Sequence, residues 1–244
     1  MRDANLVGRN SLARRRFLTG VLSVLGVSAC GRKAPEIIFR VRLTFHFSCP
    51  AGSRSFSGVW EVWETRFSGF PNSGSNLTES LFGEAIPMRF DNDQIVFALL
   101  ADYGGGALED AIGLFTWSAV KALHNASHPR YVAPGQAKGT FRDLVTDTSA
   151  EPLTLELKDM PALVVFQNLA DPKTGRFVRL SELAALAGTG WAFDRAEIQV
   201  VEDRPTPGAS QLLPWVNAPL KASGDWRWND FRKHPEYFVR KVPS

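Results

Sequence analysis

A chain of 244 residues with 44% hydrophobic and 22% charged residues, 17 Phe and 7 Trp among them, carries enough apolar bulk for a packed core and is not a disordered polymer. Its formal net charge of +3 is local: five of the 28 basic residues and one of the 25 acidic residues lie in 1–29, leaving 23 basic against 24 acidic residues beyond. A near-neutral body excludes the broad positive field that captures nucleic acid, and two cysteines exclude a disulfide-stapled scaffold.

Residues 1–16 form a basic leader, with Arg2, Arg9, Arg14, Arg15 and Arg16 against Asp3, and Leu18–Ala29 follows as an apolar run interrupted by Gly20, Ser23 and Gly26. That is the pattern of a signal peptide. As a helix the run reaches roughly 18 Å, short of the ~20 apolar residues that span a bilayer, so a removable segment is expected over 1–29. Ala13-Arg14-Arg15-Arg16-Phe17-Leu18-Thr19 resembles the twin-arginine export signal in its two arginines, variable residue and Phe-Leu, and departs from it at the flanking Ala13 and Thr19. The resemblance implies a domain folded before translocation, with the general secretory route as the alternative. Val27-Ser28-Ala29-Cys30 resembles a bacterial lipobox. It implies that the Cys30 thiol receives a diacylglycerol, that cleavage makes Cys30 the first residue, and that the protein faces the periplasm from a membrane of the bacterial envelope. One acyl chain gives marginal membrane affinity, whereas the several chains of a mature lipoprotein hold it stably. Residues 30–36 then form a lipidated tether, of which Gly31–Glu36 reaches about 20 Å at full extension. Cys49 is left without a thiol partner, so no disulfide within the chain is expected.

Residues 37–244 are expected to form a single domain. Ile37–Phe47 alternates, with Phe39, Val41, Leu43, Phe45 and Phe47 on one side and Arg40, Arg42, Thr44 and His46 on the other, the pattern of a half-buried strand. The turn signal Pro50-Ala51-Gly52-Ser53 joins it to a second strand over Phe56–Phe67, in which Trp60 and Trp63 point to opposite faces. Gly69–Ser80 reads as an exposed loop. Leu81–Phe90, the turn Asp91-Asn92-Asp93 and Gln94–Leu100 read as a second hairpin. Ala107–Leu123 has apolar residues at 108, 111, 112, 115, 119, 120 and 123, which is helical spacing. Asn125–Ser149 is polar and rich in turn residues. Leu153–Leu157, Leu163–Leu169, Arg176–Leu180 and Glu197–Val201 read as strands, and Ser181–Leu186 as a short helix capped by Ser181. From Pro205 the pattern becomes irregular and ends in the aromatic and basic run 226–233. The fold class expected is α+β, antiparallel hairpins packed with one main helix, with a β-sandwich as the alternative.

Chemical motifs are sparse. His124 and His128 have the i, i+4 spacing of helical zinc ligands, but Asn125 stands where a metalloprotease needs its general base and Pro129 ends the helix. Gly104-Gly105-Gly106 precedes a helix as a phosphate loop does, but Glu109 and Asp110 in the first turn would repel phosphate. Asp91-Asn92-Asp93 opens like a calcium loop, but Ile95 replaces an oxygen ligand. No Gly-x-Ser-x-Gly elbow is present, which leaves His46, His124, His128 and His234 as the imidazoles a hydrolase would need. No catalytic residue, metal or cofactor is assigned.

Val59-Trp60-Glu61-Val62, Gly83-Glu84-Ala85-Ile86 with Ile95-Val96-Phe97-Ala98-Leu99-Leu100, and Leu212-Leu213-Pro214-Trp215 give residues 37–220 the look of a group of uncharacterised bacterial envelope proteins. The resemblance implies a coherent domain and brings no activity with it. The function expected is that of a lipid-anchored interaction or ligand-binding module with a protein partner in the envelope, the alternative being an envelope hydrolase built on a histidine. Replacing Arg14, Arg15 and Arg16 by Lys is expected to stop export through the twin-arginine route. Undiminished export in a strain lacking that translocase, measured by the periplasmic fraction, would assign the chain to the general secretory route.

Overall fold

The computed structural model describes residues 37–67, 76–102, 122–123, 141–217 and 237–241, all within one compact unit, Pro35–Ser244. The export signal Arg14-Arg15-Arg16-Phe17-Leu18, the lipobox Val27-Ser28-Ala29-Cys30 and the tether lie outside the described residues. The strands in chain order are β1 (Ile37–Cys49), β2 (Gly52–Phe67), β3 (Asn76–Glu84), β4 (Ile86–Arg89), β5 (Ile95–Asp102), β6 (Leu153–Thr154), β7 (Pro161–Phe166), β8 (Gly175–Val178), β9 (Ala192–Val201) and β10 (Val239–Arg240). Among the described residues, α1 (Phe141–Thr146), α2 (Leu183–Ala187) and α3 (Ala209–Leu212) are short helices between them.

Alternation in β1 fixes the first sheet. Phe39, Val41, Leu43, Phe45 and Phe47 are buried while the residues between them are not. β1 pairs with β2 from Ile37↔Glu64 to Cys49↔Gly52 through a two-residue turn, where Gly52 adopts φ 118°. The expected strands on both sides of Pro50 are thus a long hairpin. β9 pairs with the other side of β1, and the sheet runs in the order β10-β3-β2-β1-β9-β6. β4, β5, β7 and β8 form a second antiparallel sheet in that order. The expectation of a predominantly antiparallel β protein is met, in two sheets.

β5 and β7 are buried on both faces, which explains their near-continuous apolar runs. One face contributes Val96, Ala98, Leu100, Leu163 and Val165 to a core shared with Val41, Leu43, Trp60, Val62 and Ile198 of the larger sheet. Two sheets sharing one core is the arrangement of the sandwich alternative. The other face of the small sheet, with Phe97, Leu99, Val164 and Phe166, packs against Ala209, Leu213, Val216, Tyr237 and Phe238. The C-terminal portion therefore makes a third layer, and the expected irregular chain beyond Pro205 includes α3 and β10.

Several expectations are corrected. The expected second hairpin holds only from Ile86, where β4 pairs with β5 across Asp91-Asn92-Asp93; Leu81–Glu84 belongs instead to β3 of the larger sheet, with Ala85 between the two strands. Gly83 (φ 140°) makes that crossing possible, because a Cβ there would lie 2.7 Å from Trp60 Cδ1. Asn76–Ser80 is strand rather than loop, since Trp63–Phe67 of the long β2 offers it a backbone edge. Leu157 begins a turn of 3-10 helix, so the expected strand Leu153–Leu157 stops at Thr154. Ser181 does not cap a helix: it lies inside the 3-10 turn Leu180–Glu182, and α2 begins at Leu183. Of the expected helix Ala107–Leu123, Ala122 and Leu123 are described, and both are helical.

Gly83→Ala combines backbone strain with a clash against a fully buried indole. A loss of roughly 2 kcal/mol is expected, a fall of about 4–8 °C in the melting midpoint for a domain of this size. Differential scanning calorimetry checks it, with Gly52→Ala, whose Cβ meets nothing within 4 Å, as the control for the positive-φ cost alone.

Candidate functional site

The outward residues of β1 stand in cross-strand rows with β2 and β9, because antiparallel partners share a face. One row runs Val201, Arg40, Glu61 and Phe82, and another runs Arg195, His46 and Ser55. This outer face of the larger sheet carries most of the described side-chain polar network that connects strands distant in sequence.

Glu61 is buried and central to the first row. It accepts from Arg40 Nε at 2.8 Å and from Trp63 Nε1 at 2.7 Å, one partner on each carboxylate oxygen. Arg40 also donates to the carbonyl of Glu202 at 3.1 Å, and Arg42 pairs with Asp203 at 2.7 Å. The β1 arginines therefore tie down the chain leaving β9. Trp63 lies 4.8 Å from Phe82, ring to ring, and Arg240 stands over the Phe82 ring at 5.5 Å. Such charge-assisted bonds in a partly dry setting are stronger than exposed pairs.

The second row holds the imidazole. His46 Nε2 is 2.8 Å from Glu197 Oε2, and Arg195 Nε donates to Glu197 Oε1 at 2.7 Å. The Arg195 hydrogen bond is the largest influence on Glu197 and holds its carboxyl below the ordinary glutamate value; partial burial opposes this, and His46 adds to the lowering. Ser48 donates to Asp194 beyond a bulge in the β1–β9 register. His46 and Glu197 make an imidazole–carboxylate contact on the outer sheet face, where the neighbouring hydroxyl positions are Ser55 and Thr44.

Where β3 leaves the larger sheet, a groove of about 280 Å³ opens between Gly83, Glu84, the Pro205-Thr206-Pro207 strap and Val239-Arg240-Lys241. Thr206 occupies the vacated edge of β2: Val59 N–H donates to its hydroxyl at 3.1 Å. The Glu84 carboxylate accepts from the backbone N–H groups of Gly208 and Ser210 and from the Ser210 hydroxyl, all within 2.9 Å. Its role is to seat α3, since both of its oxygens have partners there.

The other candidates fall as follows. His124, His128, His234 and Gly104-Gly105-Gly106 lie outside the described residues, as does the aromatic run 226–233. Asp91-Asn92-Asp93 is a hairpin turn: Asp91 pairs with Arg54, Asp93 with Arg89, and Asn92 donates to the Leu186 carbonyl. Cys49 is a half-buried free thiol at the end of β1. Among the described residues no three His, Cys, Asp or Glu side chains converge as a metal site, and no helix is long and apolar enough to cross a membrane. Trp60 and Trp63 do point to opposite faces, the first fully buried and the second half-buried. Sequence reasoning missed the His46–Glu197–Arg195 and Arg40–Glu61–Trp63 groups. The outward position of His46 and Arg40 was their visible signal, while the partners of His46 lie on a strand 151 residues away.

No family model, curated protein or solved structure matches this chain.

The depressed Glu197 carboxyl fixes a sign. A group whose value is lowered by folding stabilises the native state above its unfolded value, about 4.3 for glutamate, and that contribution is lost as pH falls through the folded value. Glu197→Gln is therefore expected to melt a few degrees lower at pH 7, with the gap to wild type closing below about pH 4. A gap constant from pH 7 to pH 3, followed by thermal melts, would remove Glu197 from the acid response.

Proposed function

We propose that this chain is a lipid-anchored protein of the bacterial envelope, exported by the twin-arginine route and held by acylated Cys30, whose domain acts as an interaction or ligand-binding module. The observation that carries the reading is the order of the N-terminal features: Arg14-Arg15-Arg16-Phe17-Leu18, a short apolar run, then Val27-Ser28-Ala29-Cys30 and the polar Gly31-Arg32-Lys33. The binding surface on this reading is the outer face of the larger sheet, where rigid strands present Trp63, Arg40, Arg42 and His46 in fixed register. Sites built on strands are held more tightly than sites on loops.

The same reading includes an amphipathic helix over 107–123 as the main helix of the domain. Leu123, at its end, is buried in the core shared by the two sheets, which supports an apolar face turned inward. Kinship with bacterial envelope proteins is also part of the proposal. Val59-Trp60, Gly83-Glu84-Ala85-Ile86 and Leu212-Leu213, on which the resemblance rests, surround the crossing between the sheets, so the likeness argues for a shared fold rather than a shared activity.

One observation favours a second reading, an envelope hydrolase: the 2.8 Å His46–Glu197 contact. It requires a nucleophile positioned by the free imidazole nitrogen, which Ser55 in the same row would supply. Loss of hydrolysis of generic ester substrates in both His46→Gln and Ser55→Ala would establish it.

Cys30→Ser is expected to abolish acylation and move the protein from the membrane pellet to the soluble fraction after cell disruption. Retention in the pellet under high salt and alkaline carbonate would overturn the anchor.

A further inference from the structure

Ile38 and Trp63 stand opposite each other in the β1–β2 register, on the outer face of the larger sheet at the end where the chain enters it. Ile38 is 52% exposed, one of two large hydrophobic side chains left so open among the described residues. Trp63 beside it is half-buried. The pair continues across the sheet, since Trp63 packs at a tilt against Phe82 and Phe82 carries the Arg240 guanidinium. β10 runs antiparallel to β3, back toward the same end, and its register of Arg240 with Gly83 carries the exposed Lys241 towards the level of Phe82. An aliphatic side chain, an indole and two cations along one edge is the combination that settles at the boundary between acyl chains and headgroups.

Chain length supplies the second argument, and it rests on the proposed acylation of Cys30. Ile37, where β1 begins, would be joined to the lipidated residue through Gly31–Glu36 alone, a reach of about 20 Å. The entry end of the sheet then stays near the bilayer surface whatever the rest of the domain does, and its local concentration there makes even a weak interfacial contact persistent. We propose that Ile38, Trp63, Arg240 and Lys241 form a membrane-facing edge that rests on the lipid headgroups of the bilayer in which Cys30 is anchored. Of the acidic residues at that end, Glu61 is buried and held by Arg40 and Trp63, Glu64 is buried and in register with Glu79 of β3, and Glu202 and Asp203 follow β9 on the opposite side of β1, with Asp203 held by Arg42. Trp63, Arg240 and Lys241 put the contact on the β2–β3–β10 side, and anionic lipid strengthens it.

The test uses the acylated full-length mature protein reconstituted in vesicles of phosphatidylethanolamine and phosphatidylglycerol, with and without brominated acyl chains, which quench indoles at the interface. Wild-type fluorescence is expected to fall with brominated lipid, Trp63→Phe to abolish most of that fall, and high salt to weaken it. Ile38→Asp, a change at an exposed position, is expected to reduce the quenching while circular dichroism and the melting midpoint stay those of wild type. Quenching that is negligible, or unchanged in Trp63→Phe and Ile38→Asp, overturns the membrane-facing edge. Intact mass separates the two readings: acyl chains on Cys30 with unchanged quenching leave the anchor standing and this inference refuted, whereas an unmodified Cys30 refutes the anchor and the inference with it.

Discussion

The crossing at Gly83-Glu84-Ala85 is the constraint on which the architecture depends. Within three residues the chain leaves one sheet and enters the other, and each residue there is held by something far away in sequence. Gly83 admits the fully buried Trp60 against its backbone, and the Glu84 carbonyl accepts the Trp60 indole N–H at 2.7 Å. The Glu84 carboxylate seats the start of α3. Ala85 N–H donates to the Phe238 carbonyl at 2.7 Å, and its own carbonyl would lie 2.6 Å from any Cβ at position 208. The larger sheet, the smaller sheet and the C-terminal layer are therefore fixed relative to one another at a single point, with buried polar groups satisfied by three distinct segments.

That arrangement explains why the two faces of the larger sheet differ. Its inner face must fit the second sheet, so it is wholly apolar along β1 and carries the Phe47, Phe56, Phe90, Trp191 and Phe193 cluster of edge-to-face rings at the hairpin end. Its outer face has no such partner among the described strands and carries paired charges in cross-strand register. Glu61 organises one group and Glu197 the other, each using both carboxylate oxygens. The surface proposed for binding is consequently rigid in its strands, with both oxygens of Glu61 and of Glu197 already partnered within it.

How much of this was legible in the sequence follows from the range of the interactions. The period-2 pattern of Ile37–Phe47 and the turn at Pro50-Ala51 are local, and they specify the first hairpin correctly. The opposed faces of Trp60 and Trp63 follow from the same rule. The crossing was not legible, because Leu81–Phe90 continues as an apolar extended run on both sides of Ala85, and only the demand of Trp60 for space at Gly83 distinguishes the two halves. Asn76–Ser80, with Leu77 alone apolar, showed no apolar period, because its strand conformation comes from backbone pairing with β2. The His46–Glu197 pair required knowing that β9 lies beside β1, which no local pattern encodes. Ser181 has the chemistry of a cap, but the 3-10 turn before α2 places Glu182 at the boundary instead.

The pairing of β1 with β9 has a consequence for the order of folding. β1 and β2 form a hairpin as soon as both are made, yet β1 waits for its second neighbour until a strand about 150 residues later has been synthesised, as the His46–Glu197 separation of 151 shows. At ordinary rates of synthesis that interval is roughly 8–30 s. The strands of the smaller sheet that cover the hairpin's apolar side, with Val41, Leu43, Phe45 and Phe47, also arrive in stages, β4 and β5 first and β7 only from Pro161, and non-local closure of this kind is intrinsically slow. A translocase that accepts folded cargo can act on such a chain only near the end of its synthesis. On the proposed export route the early part of the domain thus depends on protection in the cytoplasm, and the time spent there is set by topology.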